Sequence, residues 1–215
     1  MRDEDKTFFE APLESGVPSL RVNEIFFSLQ GEGARAGSAN VFVRLQGCKT
    51  KDACYASGIR CDTEFESGRE MTILEIAMAA NATGCPNIIW TGGEPAQQLT
   101  AEIVDRFKSI GYFQSIETSG LFAVPGNLDH VCVSPKVAEH VIAKNFPTGV
   151  DELRYVRHAG QSIPDPSIDA DEYFISPHSD GNHLNQDNLR HCIELVKQNP
   201  KWKLSVQLHK IWQVL

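Results

Sequence analysis

PNIIWTGGEP (86–95) passes directly from an apolar run into small and acidic residues. A buried strand reads this way when its last residues open onto a site. The passage recurs along the chain: FQSIE (113–117) runs into TSG, HVCV (130–133) into SPK, EYFI (172–175) into SPHSDG, and KLSVQLH (203–209) comes last. Upstream, VFVRLQ (41–46) alternates, with Val41, Val43 and Leu45 on one face and Phe42, Arg44 and Gln46 on the other. Helical periods lie between the strands. At 72–83, Thr72 and Glu75 make a capping-box pattern, Ile73, Ile76, Ala77 and Ala80 share a face, and Gly84 stops the run. Helices are also predicted at 101–110, around Ile103, Phe107 and Ile110, and at 186–198, around Leu189, Ile193 and Val196. Strands alternating with helices predict an α/β fold with a parallel sheet. The visible units are too few for eight strands, so the expectation is a partial, incomplete parallel β/α barrel. Residues 21–215 read as a single domain, and residues 1–20, charged, with two prolines and no period, as an N-terminal arm.

The chain has 215 residues and a net charge of -8, which argues against nucleic acid or an anionic membrane as partner. No apolar run approaches the roughly 20 residues of a membrane span. MRDEDKTFFEAPLESG has neither a basic start nor an apolar stretch, so it does not read as a secretion signal, and a cytoplasmic location is expected. In a reducing compartment the six cysteines read as ligands, nucleophiles or small buried hydrophobes.

In parallel α/β folds the carboxyl ends of the strands share one face, where ligands bind. TGGEP, ETSG, SPK, SPHS and QLHK therefore converge on one pocket, with Glu94, Glu117, Lys136 and His209 among them. Three of the cysteines, Cys48, Cys54 and Cys61, fall within 14 residues, in a segment (47–70) that reads as one long irregular loop. Three thiolates can hold three irons of a cubane and leave the fourth open. They could also be part of a zinc site, which normally needs four ligands, and no histidine precedes His130. Cys132 and Cys192 lie on apolar elements and read as buried packing, whereas Cys85 is open to either reading.

GCKTKDACYASGIRCDTEF followed by TGGEP resembles the radical S-adenosylmethionine superfamily. NEIFFSLQGEG (23–33), FVRLQGC (42–48), CDT (61–63), TGGEP (91–95), IETSG (116–120), VSPK (133–136) and QLHK (207–210) resemble, more narrowly, the 7-carboxy-7-deazaguanine synthase family. The resemblance covers about residues 22–215. It implies ring contraction of 6-carboxy-5,6,7,8-tetrahydropterin to 7-carboxy-7-deazaguanine with loss of ammonia, a lyase reaction on the way to queuosine. It also implies a 4Fe-4S cluster on Cys48, Cys54 and Cys61, with S-adenosylmethionine on the open iron. Asp62, Gly92, Gly93, Glu94, Ser119, Ser134, Pro135, Lys136 and the Ser176, Pro177, His178, Ser179 loop are its expected contacts. Thr63 is expected on Mg2+. Leu29, Gln30, Gly31, Glu32, Arg44, Thr91, Glu117, His209 and the α-carboxylate of Leu215 are expected around the pterin, with Arg44 gripping its carboxylate. A flavodoxin or ferredoxin as electron donor and a homodimer are implied as well. One feature departs from the superfamily: its Cys-x3-Cys-x2-Cys reads here as Cys-x5-Cys-x6-Cys, with Gly58 at the usual place of the second cysteine.

Two other functions share some of these features. A radical-activating enzyme that makes a glycyl radical on a partner protein has the same core but needs an open docking face. LQGEG, Arg44 and QLHK favour a small molecule instead. A non-catalytic zinc module leaves the five polar strand ends without a role.

Overall fold

Strands and helices alternate as the periods require. The computed structural model describes residues 2–10, 19–56, 61, 63–179, 181 and 183–214. The elements run α1 (Asp3–Glu10), β1 (Ser19–Leu29), β2 (Ala39–Leu45), α2 (Lys51–Ala56), β3 (Arg69–Thr72), α3 (Ile73–Asn81), β4 (Asn87–Gly92) and α4 (Ala101–Ser109). They continue through β5 (Phe113–Thr118), β6 (His130–Val133), α5 (Glu139–Asn145), β7 (Val150–Arg157), β8 (Ala170–Pro177), α6 (Gln186–Gln198), β9 (Trp202–Leu204) and α7 (Leu208–Trp212). One sheet takes them in the order β3-β1-β2-β4-β5-β6-β7-β8-β9. Every neighbouring pair from β2 to β9 is parallel. β1 and β3 add an antiparallel margin beside β2. This is the incomplete parallel β/α barrel expected from the strand–helix repeats.

Alternation gives the sheet two unlike faces. On the outer one, Val41, Val43, Leu45, Ile88, Trp90 and Ile116 pack against Ile73, Ile76, Ala77 and Ala80 of α3 and Ile103, Val104 and Phe107 of α4. A second cluster joins Val133, Leu153, Tyr155, Tyr173 and Ile175 to Ile142 of α5 and Cys192 of α6. The capping box on α3 is complete: Thr72 Oγ1 accepts from Glu75 N at 3.2 Å, and Glu75 Oε2 accepts from Thr72 N at 2.7 Å. The inner face is polar. Register sets Arg44 beside Thr91, Glu117 beside Cys132, and Cys132 beside Glu152.

The structure departs from the sequence reading at three places. The arm contains α1, whose Phe9 is buried edge-on against Phe107 with ring centroids 5.2 Å apart. Arg106 Nη1 donates to Phe9 O at 3.1 Å. The mixture of acids and two aromatics hid this anchor, because only one face of two turns is apolar. The cysteine loop contains α2 and ends in β3, so it is not irregular throughout. The last strand stops at Leu204, and His209 sits on α7. Among the described residues β9 pairs with β8 alone, and after Ser205 N reaches Ile175 O, Leu208 N turns to Gly31 O at 2.9 Å. Beyond these, β1 and β7 are strands the apolar runs did not reveal. Among the described residues, no helix is long and apolar enough to cross a membrane.

If α1 is part of the core, Phe9→Ala should lower the unfolding free energy by about 3 kcal/mol. Denaturant titration reads this directly. A loss below about 0.5 kcal/mol, typical of a surface change, would assign α1 to the periphery.

Candidate active site

The inner wall encloses a cavity of about 830 Å³. Leu29, at the end of β1, and Gln30, Gly31 and Glu32, from the segment after it, form one side of it, and Arg44 and Thr91 come from β2 and β4. Glu117 of β5 and His209 of α7 line it as well. Phe26 and Phe42 also line it, stacked with centroids 4.9 Å apart, and the Arg44 guanidinium lies 5.5 Å from the Phe26 centroid. Arg44 Nε donates to Glu24 Oε1 at 2.7 Å, which leaves its Nη groups as the free edge.

Two glycines set the shape of this side. A Cβ on Gly31 would strike the His209 ring. Gly33 has φ +68, and a Cβ there would fall on the Glu152 carboxylate. The QGEG segment thus allows two side chains to press against the backbone. It is tied across the barrel by Ala34 N to Glu152 Oε2 at 3.0 Å and by Gly33 N to Ser205 Oγ at 2.9 Å.

A second cavity, of about 230 Å³, is lined by all three clustered cysteines together with Gly92, Gly93, Ser119, Ser134 and Lys136. α2 carries Cys54, whose N–H bonds Thr50 O at 2.9 Å, and Cys48 Sγ lies 3.0 Å from Thr50 Oγ1. Burial pushes the Cys54 thiol up, opposed by the Lys136 ammonium and a Thr50 hydrogen bond, while Cys48 and Cys61 push it further. Burial also lowers Lys136, against the pull of Cys54. Three thiols on one wall and no fourth suit a cluster with an open iron. Among the described residues no group of three His, Cys, Asp or Glu side chains is arranged around a bare ion. Thr63, Thr91 and Glu117 border both cavities.

Charge inside the barrel centres on Arg154 of β7. Its Nη2 pairs with Glu117 Oε2, its Nη1 with Glu152 Oε1 at 3.0 Å, and its Nε lies 4.0 Å from Glu32 Oε1. Burial disfavours the guanidinium, but Cys132, Glu117, Glu32 and Glu152 outweigh it and hold its pKa well above the ordinary value. Burial raises Glu117, and Arg154 pulls it back. Gln30 Nε2 donates to Glu117 Oε1 at 2.8 Å. His130 Nε2 is 3.9 Å from Glu152 Oε2, and burial lowers its pKa against the pull of that carboxylate.

Not every expected residue borders a cavity. Glu94 is buried and bound internally: Thr118 Oγ1 donates to it at 2.7 Å, Ser119 N at 2.8 Å and Ala96 N at 3.2 Å, and Ser119 Oγ also bonds it. Pro135 only links Ser134 to Lys136, whose Nζ donates to Ser134 Oγ at 2.7 Å. Ser176, Pro177, His178 and Ser179 line neither cavity. His178 instead stacks on His158 at 4.2 Å. Asp62 and Leu215 lie outside the described residues. Sequence reasoning missed Glu152, Arg154, Phe26, His183 and Gln207. The available signal for the first two was VDELRYVR (150–157), where Leu153 and Tyr155 alternate with charges.

No protein-family model matches the chain. It is similar to 7-carboxy-7-deazaguanine synthase of Bacteroides thetaiotaomicron, 35% identical over 192 residues that span 89% of this chain and 96% of the relative. The synthase of the same name from Haemophilus influenzae is 35% identical over 206 residues, 90% of this chain and 93% of that one. Among solved structures, the crystal structure of QueE from Escherichia coli superposes with a TM-score of 0.65 at 22% identity, covering 96% of this chain and 99% of that one.

Gly33→Ala should cost about 2 kcal/mol or more, because left-handed strain adds to displacement of the Glu152 carboxylate. Gly37 has φ +85 and nothing within 4 Å of an added Cβ, so it isolates the backbone part. Gly37→Ala should cost about 1 kcal/mol. Equal losses in denaturant titrations would mean that Gly33 makes no room for Glu152.

Proposed function

The chain belongs to the 7-carboxy-7-deazaguanine synthase family, and we propose that its larger cavity holds 6-carboxy-5,6,7,8-tetrahydropterin for ring contraction to 7-carboxy-7-deazaguanine with loss of ammonia. The observation that carries this reading is the pair of cavities meeting at Thr63, Thr91 and Glu117. One offers three thiols and glycine backbone. The other offers a guanidinium and carboxylates.

Cys48, Cys54 and Cys61 would hold a 4Fe-4S cluster, with S-adenosylmethionine against Gly92, Gly93, Ser119, Ser134 and Lys136. When bound and reduced, this pair would supply radical chemistry that removes a hydrogen atom from the substrate. The chain's own residues supply position. Arg44 grips the substrate carboxylate through its free Nη edge, and Phe26 and Phe42 give the ring an apolar wall. Glu117 and Glu32 accept from the N–H groups of the pyrimidine edge, and His209, packed on Gly31, fixes the far side. Thr63 stands between the cavities, where its hydroxyl could ligate Mg2+ together with substrate oxygens. Its neighbour Glu64 is committed elsewhere: hydrogen bonds from Ser67 and Asn23 hold its pKa at about 2. The reaction is a carbon–nitrogen lyase step, redox-neutral overall. An electron carrier of the flavodoxin or ferredoxin class and a homodimeric, cytoplasmic enzyme complete the reading.

Anaerobic incubation with the carboxytetrahydropterin, S-adenosylmethionine and a reductant should give 7-carboxy-7-deazaguanine by mass spectrometry. Product should greatly outnumber 5′-deoxyadenosine if the hydrogen is returned. Absence of the deazaguanine from protein with a full complement of iron would refute the assignment. Cys48→Ala, Cys54→Ala and Cys61→Ala should each abolish the cluster absorbance, whereas Cys132→Ala should retain it. A Cys54→Ala protein with an intact, active cluster would remove that ligand.

A further inference from the structure

Arg154 lines the larger cavity and has no role in the reading above. Arg154 is 6% exposed, and all of its nitrogens face carboxylates. A buried guanidinium is costly, and it persists here only because Glu117, Glu152 and Glu32 surround it. It is badly suited to meet the substrate edge itself, since the N–H groups of an aminopyrimidinone would face N–H groups. Its neighbours are well suited. Glu117 has Oε1 fixed by Gln30 and Oε2 fixed by Arg154, and each oxygen keeps a lone pair to offer. A fifth of the Glu117 side chain is open, as is a fifth of Glu32. Glu152, by contrast, is 2% exposed and faces inward to Arg154, Cys132 Sγ at 3.4 Å and the Ala34 amide.

We propose that Arg154, anchored by Glu152, is a positioning residue that turns the Glu117 and Glu32 carboxylates into the cavity as a paired acceptor, and thereby makes the site select a ring carrying an exocyclic amine beside a ring N–H. The proposal rests on the pterin reading of this cavity. Removing Arg154 leaves three carboxylates together without a cation. They then turn apart or take up protons, and the acceptor pair is lost while Arg44 still holds the ligand's carboxylate. Selectivity between an amino and an oxo ring falls more than binding of the carboxylate does.

The probes are 6-carboxypterin and 6-carboxylumazine, which differ in an amino or oxo group at ring carbon 2 and in the proton that the oxo form carries on N1. Calorimetry on the anaerobic holoenzyme should show the pterin bound at least about tenfold more tightly, because a site built to accept N–H groups is left unpaired by the oxo ring. Arg154→Met should bring that ratio close to one, with iron content and S-adenosylmethionine binding unchanged. KM for the carboxytetrahydropterin should rise more than kcat falls. Arg154→Lys, whose single ammonium reaches fewer carboxylates, should restore part of the ratio and decides the matter if the methionine variant does not fold. Retention of the full ratio in either variant overturns the proposal, as does equal weakening of both ligands. If the wild-type protein turns over the carboxytetrahydropterin but the ratio ignores Arg154, only this inference fails. If the wild-type protein neither binds the pterin nor turns it over, the reading of the cavity fails with it.

Discussion

The contact of one guanidinium with the carboxylates of Glu117, Glu152 and Glu32 is the constraint around which the inner wall is built. Helices α3 to α6 pack on the outer face of the sheet, so most of the inner face must be satisfied by itself or by a ligand. Uncompensated burial of three carboxylates would be prohibitive, and a single arginine with planar, forked donors makes it tolerable. The rest of the interior follows. Glu152, fixed by Arg154, reaches the Ala34 amide, and Gly33 yields the space for it. The segment after β1 is thereby drawn across to β7 and β9, where Gly33 N meets Ser205 Oγ and Leu208 N meets Gly31 O. An open sheet gains a strap between its early and late strands.

This polarity inversion also decides what was legible in the sequence. α3, α4 and α6 were readable from Thr72, Glu75 and their apolar periods, because those faces pack on the outer sheet. β4, β5 and β6 were readable for the same reason. β7 obeys the same alternation, with Leu153 and Tyr155 outward, but its inward residues are Glu152 and Arg154. In isolation such a pattern looks like a solvated strand or no strand at all. The strand with the most important charges was therefore the one least visible. β9 erred the other way: LSVQLH keeps a period of two beyond Leu204, but the pull of Gly31 O on Leu208 N takes the chain into α7.

The cysteine spacing has a similar local cause. Five residues between Cys48 and Cys54 would span well over 15 Å if extended. α2 takes up most of them at about 1.5 Å per residue, and its first turn is closed by Cys54 N on Thr50 O. Cys54 is brought back to the wall that Cys48 and Cys61 share. Which residues converge was legible in the motif; the helix that makes an unusual spacing work was not. Glu94 shows the opposite case. Its place in TGGEP suggested a ligand contact, whereas its carboxylate ties the end of β4 to Thr118 and Ser119 at the end of β5. It holds the two strand ends in register and reaches the cavities only through them.

Those two strand ends explain how one wall can serve two cavities. Thr91 and Glu117 border both, and the residues that follow them, Gly92 and Gly93 on one strand and Thr118 and Ser119 on the other, border only the cysteine side. Successive residues on a strand advance about 3.3 Å and point to alternate faces. Going one residue further along β4 or β5 moves from residues that border both cavities to residues that border only the cysteine side. The walls of the two cavities are neighbours by construction, and their separation along these strands is set by backbone and not by flexible side chains. Hydrogen transfer between two bound molecules needs contact distances of about 3–3.5 Å. Two cavities that share a wall allow two bound molecules to come that close.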